Sequence, residues 1–65
     1  MTSKVTGTTY DPARCVRIFN MVQAARYLKA GAQPVDIRLE NDKLCLLFVR
    51  REVAGLYRRW LCHEL

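Results

Sequence analysis

The chain has 65 residues, of which 51% are apolar, and 11 lysines and arginines against 6 aspartates and glutamates give it a formal net charge of +5. A chain of this length forms a single domain, which excludes a TIM barrel, a two-domain enzyme and any fold with a large internal cavity. The apolar content is too high for a disordered chain, and the excess of positive charge favours an anionic partner.

The first part of the chain is polar and rich in threonine. We predict a flexible arm over residues 1–13, followed by one α+β domain over residues 14–65. Asp11 and Pro12 mark a turn at the end of the arm, because proline disfavours helical backbone at the residue before it. As an alternative, Val5–Tyr10 could add an edge strand, since threonine and tyrosine favour strands.

The next segment predicts a short strand and then a helix. Cys15–Phe19 alternates loosely, as strands do. Asn20 is a typical helix N-cap, Gln23 is placed to complete a capping box, and Gly31 is a typical residue just past a helix end. The helix Met21–Ala30 between them should bury the apolar residues at helical spacing, Met21, Ala24, Ala25 and Leu28.

A β-hairpin is predicted after Pro34. Residues 35–40 alternate between apolar and charged, and Lys43–Val49 forms the return strand. Asn41 and Asp42 suit a two-residue turn because both tolerate left-handed backbone. This turn pairs Glu40 with Lys43 and puts six apolar residues on one face: Val35, Ile37, Leu39, Leu44, Leu46 and Phe48. On the other face, ion pairs are expected among Asp36, Arg38, Glu40 and Lys43.

The return strand is apolar on its second face as well, which is typical of a central strand. We therefore place it between its hairpin partner and the Cys15–Phe19 strand. If both helices cover the same side of the sheet, an apolar patch stays open on the other side, and such patches mark interfaces. Unless the N-terminal arm folds across it, this patch predicts a homodimer. Its residues are Phe19, Cys45, Leu47 and Val49.

Arg50–His63 predicts a second helix with two different faces. The apolar face follows helical spacing and should be buried; it comprises Val53, Leu56, Tyr57, Trp60 and Leu61. The opposite face comprises Arg51, Gly55, Arg58, Arg59 and Cys62. The whole pattern predicts the order β-α-β-β-α, with a small three-stranded mixed sheet and two helices on one face.

No pattern in the chain predicts catalysis, a cofactor or a metal site. The glycines are isolated, so there is no phosphate-binding loop. Cys15, Cys45 and Cys62 are widely spaced and lack a Cys-x2-Cys pair, which favours reduced thiols. His63 lies where a helix frays, which suits a surface role. No apolar run is long enough to span a membrane, and we expect a cytoplasmic protein.

The arginine-rich face of the second helix is the strongest candidate for binding a partner, through Arg51, Gly55, Arg58 and Arg59. Arginine makes bidentate contacts with carboxylates and phosphates. Gly55 costs a helix about 1 kcal/mol relative to alanine, and this has two interpretations: neutral drift, or the approach of another backbone at this position. An acidic protein or nucleoprotein complex and nucleic acid both fit this face. Burial of Tyr57 and Trp60 would argue against base stacking.

A set of residues spread over the chain carries a family resemblance: Ile18-x-Asn20, Gln23-Ala24-Ala25, Tyr27-Leu28-x-x-Gly31, Pro34-x-Asp36-Ile37, Lys43, Phe48 and Leu56-Tyr57-x-x-Trp60. Over residues 18–61 this pattern resembles short uncharacterised proteins of bacteriophages and other mobile elements. The resemblance assigns no functional residue. It implies a phage or mobile-element source and action in the host bacterial cytoplasm, where small proteins of that source often blunt a host system or bind nucleic acid.

These observations together favour a non-enzymatic binding module that docks at fixed stoichiometry on a host macromolecule. Inhibition of a bacterial defence complex, such as a CRISPR effector, is one example. The alternatives are nucleic-acid binding without sequence specificity through the arginine-rich helix and, third, a small enzyme.

Overall fold

A computed structural model describes all 65 residues of the chain. Its elements are a 3-10 helix Pro12–Arg14, strand β1 Cys15–Ile18, helix α1 Met21–Lys29, strands β2 Asp36–Glu40 and β3 Lys43–Val49, and helix α2 Arg50–Leu61. The predicted α+β class and the order β-α-β-β-α are confirmed. The predicted ends of β1, α1 and α2 differ from the observed ones by one or two residues.

The sheet has the strand order β1-β3-β2, which confirms β3 as the central strand. Both neighbours run antiparallel to β3, so the prediction of a mixed sheet is wrong. The reason lies in the connection through α1, which carries the chain from one edge of the sheet to the other. Strand β3 then returns from the hairpin into the gap and opposes both edge strands, which are parallel to each other without being neighbours.

The hairpin turn sets the register of the sheet. Asn41 and Asp42 both adopt left-handed backbone, with φ of 53° and 62°, as a two-residue hairpin turn of this kind requires. The predicted pairing of Glu40 with Lys43 is confirmed, together with the pairs Leu39–Leu44 and Ile37–Leu46.

The predicted position of Val35 is wrong. Its backbone N–H donates to the carbonyl of Leu47 at 2.8 Å, and Leu47 is also the pairing partner of Asp36. Two residues of this strand therefore oppose one, as in a β-bulge. The extra residue ends the regular alternation, and Val35 packs on the second side of the sheet instead of beside Phe48.

Helix α1 begins at Met21 as predicted and ends one residue before the predicted Ala30. The Asn20 side chain accepts hydrogen bonds from the backbone N–H groups of Val22 and Gln23, and Gly31 follows the helix with φ of 99°. The capping box is not completed, because the Gln23 side chain donates to the Tyr27 hydroxyl at 2.8 Å.

The predicted buried face of α1 is wrong for three of its four residues. Ala24 is buried, but Met21, Ala25 and Leu28 are exposed. The ring of Tyr27 is fully buried and meets Phe48 edge-on, with ring centroids 5.5 Å apart. A buried aromatic side chain contributes a large area, about 150–250 Å², to a core, and packing Tyr27 against Phe48 sets the rotation of the helix.

Each side of the sheet carries its own core. The helix-side core joins both helices to the sheet through Ile18, Ala24, Tyr27, Leu46, Phe48 and Val53. The second core lies on the opposite side and consists of Tyr10, Cys15, Val35, Cys45 and Leu47, with Val49 packed against it. Both helices therefore lie on one side, as predicted.

The N-terminal segment covers the second core. Ser3 Oγ donates to one carboxylate oxygen of Asp36 at 2.7 Å, the Tyr10 hydroxyl donates to the other, and the Thr6 hydroxyl donates to the Val35 carbonyl at 2.7 Å. Residues 1–13 thus pack on the sheet rather than forming a free arm. The edge-strand alternative is also wrong, since this segment bridges only to itself, between Thr2 and Thr9.

This cover overturns the predicted open patch on the sheet. Cys45 and Leu47 are 0% and 1% exposed, and Val49 is partly buried against the same core. Phe19 alone of the four predicted self-association residues is well exposed, at 44%. The apolar face that motivated a homodimer is therefore the chain's own core.

The predicted ion pairing is present between Arg38 and Glu40 at 3.8 Å, but the prediction is wrong for Asp36. Asp36 is buried and accepts from Ser3, Tyr10 and the backbone N–H of Ile37. The hydrogen bond from Tyr10, followed by that from Ser3, lowers the pKa of Asp36. The same bond to Asp36 raises the pKa of Tyr10.

We expect Asp36→Asn to destabilise the fold in a pH-dependent manner. A lowered carboxyl pKa contributes stability above about pH 4 that is lost as the pH falls through the folded-state value. A raised tyrosine pKa contributes stability below about pH 10 that is lost as the pH rises through its folded-state value. The difference in melting temperature from the native chain should thus be largest between these limits. Circular dichroism can measure it, with Asp42→Asn in the exposed turn as control. A difference unchanged at about pH 2 would contradict an ionised Asp36.

We expect Leu47→Ala to lower the free energy of unfolding by about 2–5 kcal/mol, the usual cost of a cavity in a packed core. The matched change Leu39→Ala, at a residue that is 74% exposed, should cost less than about 0.5 kcal/mol. Urea denaturation measures both. Equal costs would mean that the N-terminal segment does not cover Leu47 in solution.

Candidate binding surface

The predicted partner-binding residues lie together on the outer side of α2. Helix α2 buries Val53 and partly buries Leu56 and Trp60 against the helix-side core. The opposite side is exposed and carries the predicted residues, which we call the basic face of α2: Arg51, Gly55, Arg58 and Arg59. A Cβ added at Gly55 would meet no atom of the chain within 4 Å, so packing within the chain does not require glycine there.

The arginines of α2 have no carboxylate partner inside the chain. The salt bridges present are Arg14–Asp11 at 3.7 Å, Arg17–Glu40 at 3.1 Å and Arg38–Glu40 at 3.8 Å. All of them lie in other elements. The guanidinium groups on α2 are therefore available to an external anion; they belong to Arg50, Arg51, Arg58 and Arg59.

The aromatic residues of α2 are less buried than the sequence predicts. Tyr57 is 50% exposed and Leu61 is also exposed, while Trp60 is partly buried. The prediction that Tyr57 is buried is wrong, because only a narrow stripe of α2 meets the sheet and α1. The Tyr57 ring is consequently open to solvent on the same helix as the free arginines.

A groove of about 570 Å³ separates β1 from the two helices. We call it the β1 groove, and its lining contains no carboxylate: Val16, Arg17, Ile18, Gln23, Tyr27, Arg50, Val53, Ala54, Tyr57 and Arg58. Sequence reasoning missed it because the lining comes from three elements that are distant along the chain. The only local signal for the groove was the adjacent pair Tyr57 and Arg58. Because Tyr57 was predicted to be buried, this pair did not indicate a binding site.

The β1 groove opens along the outer edge of β1, which is one of the two edges of the sheet. Val16, Arg17 and Ile18 are consecutive, and side chains alternate sides along a strand. All three line the groove, so the groove must follow the strand edge and not one face of the sheet.

The backbone N–H and C=O groups of Arg17 point outward from this edge. In a two-residue hairpin the residues flanking the turn form a hydrogen-bonded pair, here Glu40 and Lys43. Hydrogen-bonded pairs alternate along each strand, so Lys43, Cys45 and Leu47 direct their backbone groups toward β2. Arg17 pairs with Leu47, and its N–H and C=O therefore face away from β3.

Two further contacts agree with this assignment. The N–H of Cys15, which is equivalent to that of Arg17, bonds outside the sheet to the Pro12 carbonyl. The Arg17 side chain reaches across the sheet to Glu40 at 3.1 Å. The Arg17 guanidinium therefore does not block the edge at which the Arg17 backbone N–H and C=O are unpaired.

The cysteines and His63 are the other side chains that could carry chemistry. No group of three or more histidine, cysteine, aspartate or glutamate side chains is placed to hold a metal ion. Burial raises the pKa of the Cys15 and Cys45 thiols, which disfavours the nucleophilic thiolate. Cys62 and His63 are exposed beyond the end of α2. Neither helix has the length and apolar character needed to cross a membrane.

Comparison with protein-family models, curated proteins and solved structures finds no match to this chain.

We expect backbone amide exchange to alternate along β1 in the free protein. Val16 and Ile18 belong to the hydrogen-bonded pairs with β3, whereas the Arg17 N–H faces solvent. Hydrogen–deuterium exchange followed by NMR should show faster exchange at Arg17 than at either neighbour. Equal protection at all three amides would contradict an open edge.

Proposed function

We propose that this chain is a non-enzymatic binding module that docks at fixed stoichiometry on an acidic surface of a host protein or nucleoprotein complex. The observation that carries the proposal is the group of exposed α2 arginines without internal carboxylate partners. A net charge of +5 adds long-range attraction to an anionic partner.

The exposed aromatic and apolar residues of the two helices favour a protein surface over bare nucleic acid. Protein interfaces are enriched in aromatic residues, methionine and arginine. Tyr57 is exposed on α2 beside Arg58, and Met21, Val22 and Leu28 are exposed on α1. Phosphate backbones, in contrast, are contacted chiefly by charged and polar groups.

Direct binding of nucleic acid is the alternative, and the exposure of Tyr57 favours it. A half-exposed tyrosine next to Arg58 combines a stacking surface with a phosphate contact, as in many proteins that bind single strands. Neutralising three to five phosphates of a duplex would give a log–log salt slope of about −3 to −4.5.

The resemblance to phage and mobile-element proteins supports a host bacterial cytoplasm as the place of action. A bacterial defence complex with an acidic surface is one partner of suitable chemistry. In this proposal the chain inhibits by occupying a surface, without turnover.

We expect the double variant Arg58→Glu/Arg59→Glu to lose the partner. Affinity capture from a bacterial lysate, with and without nuclease, should identify a protein that the native chain retains after nuclease treatment. Titration of that purified protein should saturate at fixed stoichiometry. The double variant should bind about thirtyfold or more weakly, the usual effect of removing an arginine that contributes about 2 kcal/mol.

The matched control is Lys4→Glu/Lys43→Glu, which makes the same change in charge at exposed residues away from α2. Equal loss in the control would reduce the effect to net charge and overturn a specific basic face. Capture that disappears with nuclease, followed by a gel shift with the salt slope given above, would establish the nucleic-acid alternative. Turnover of any captured partner would overturn a stoichiometric mechanism.

A further inference from the structure

We propose that the β1 groove binds an extended acidic segment of the partner protein, which adds to the free edge of β1 as a fourth strand. This inference rests on the proposed function, because it names the part of an acidic partner that the chain recognises. It moves the centre of recognition from the outer side of α2 to the groove between α2 and the sheet.

The backbone of β1 supplies the template for strand addition. The N–H and C=O of Arg17 point outward and have no partner in the chain. An incoming strand that places one residue opposite Arg17 would make two main-chain hydrogen bonds with it, as in β-augmentation. Edge strands are commonly protected by a charged side chain that projects from them, but the Arg17 side chain is held by Glu40 across the sheet.

The charges of the groove select an acidic segment. Arg50 and Arg58 line the groove without salt-bridge partners, and no carboxylate lines it. Eight residues separate these two arginines on α2, which corresponds to about 12 Å along the helix axis. In a strand, residues four apart share one side and lie about 13 Å apart. A bound segment that runs along α2 can therefore place two carboxylates opposite the two arginines.

The floor of the groove adds an apolar requirement. Val53, Ala54 and Tyr57 lie between the two arginines along α2, and all three line the groove. In an extended segment, the residue midway between the two carboxylates points to the same side as they do. The favoured ligand therefore has the pattern acidic-x-apolar-x-acidic in an extended conformation.

A second copy of the chain is a poor occupant of the same edge. Pairing of two β1 strands would bring together the Arg50 and Arg58 side chains of both copies with no carboxylate between them. Like charges opposed in this way are destabilising. Charge thus favours an acidic partner segment over self-association.

The test uses a fluorescein-labelled peptide of sequence Thr-Glu-Thr-Val-Thr-Glu-Thr, capped at both ends, and the full 65-residue chain. Fluorescence anisotropy should show saturable binding. We expect Arg58→Glu to weaken binding about thirtyfold. Arg59→Glu, at a neighbouring arginine that does not line the groove, should weaken it at most about fivefold through exposed-charge effects.

Two further comparisons test the site and the mode of binding. Ala54→Trp should fill the groove and abolish binding, whereas Ala25→Trp, on an exposed part of α1 outside the groove, should not. The same peptide with N-methyl groups on alternate backbone amides cannot donate to β1 and should bind much more weakly. The Arg17 amide should become protected from hydrogen exchange only when the unmodified peptide is bound.

Four outcomes would overturn this inference and leave the proposed function standing. The first is that the peptide does not bind although the captured partner still depends on Arg58 and Arg59. The second is that Arg58→Glu and Arg59→Glu weaken peptide binding equally, and the third is that N-methylation of the peptide does not weaken its binding. The fourth is that the Arg17 amide is protected by dimerisation of the chain without peptide. Failure of the proposed function has a different signature, since the native chain would then retain no partner that Arg58→Glu/Arg59→Glu releases.

Discussion

The fold depends on the carboxylate of Asp36, which fastens the N-terminal segment to the sheet. A three-stranded sheet that is apolar on both sides needs two covers, and the two helices supply only one. The second cover is the N-terminal segment, which has few large apolar residues. Apolar burial therefore contributes little free energy to its packing on the sheet. Hydrogen bonds from Ser3 and Tyr10 to a single charged acceptor supply the missing attachment, since bonds to an ionised group are stronger than neutral ones. With the segment in place, Cys45 and Leu47 become core residues.

Closing both sides of the sheet determines where a partner can bind. The accessible surfaces include the outer side of α2, the exposed α1 residues Met21, Val22 and Leu28, the hairpin with Leu39 and Leu44, and the edge of β1 with its groove. The basic face and the groove share Arg58, so a partner surface on α2 and an inserted strand are parts of one contact. A covered sheet face also means that partner binding need not compete with folding, because no residue of either core has to be uncovered.

The features that the sequence predicts correctly are those decided by neighbouring residues. Asn41 and Asp42 determine the hairpin turn, and the turn determines the pairing of β2 with β3. The failures come from contacts between distant parts of the chain. Asp36 accepts hydrogen bonds from Ser3 and Tyr10, which are 33 and 26 residues away in the sequence. The periodicity of apolar residues cannot predict such contacts. Helix α1 offers an aliphatic stripe and a competing tyrosine, and only the position of Phe48 decides between them. The basic face was readable because one helix carries it, whereas the β1 groove needs three elements to be assembled first.

The arginines of the groove resolve a difficulty that an open strand edge creates. An edge with unpaired backbone groups pairs readily with other chains, and proteins normally block it with a projecting charge, a bulge or a covering segment. Here the strand's own charge is turned away toward Glu40, which leaves the backbone of Arg17 accessible. Protection comes instead from Arg50 and Arg58, which repel a second copy without obstructing the hydrogen bonds. Because the same two charges attract carboxylates, one arrangement both disfavours self-pairing and favours an acidic strand. Specificity of this kind needs a repulsive element as well as an attractive one, and in this chain two side chains supply both.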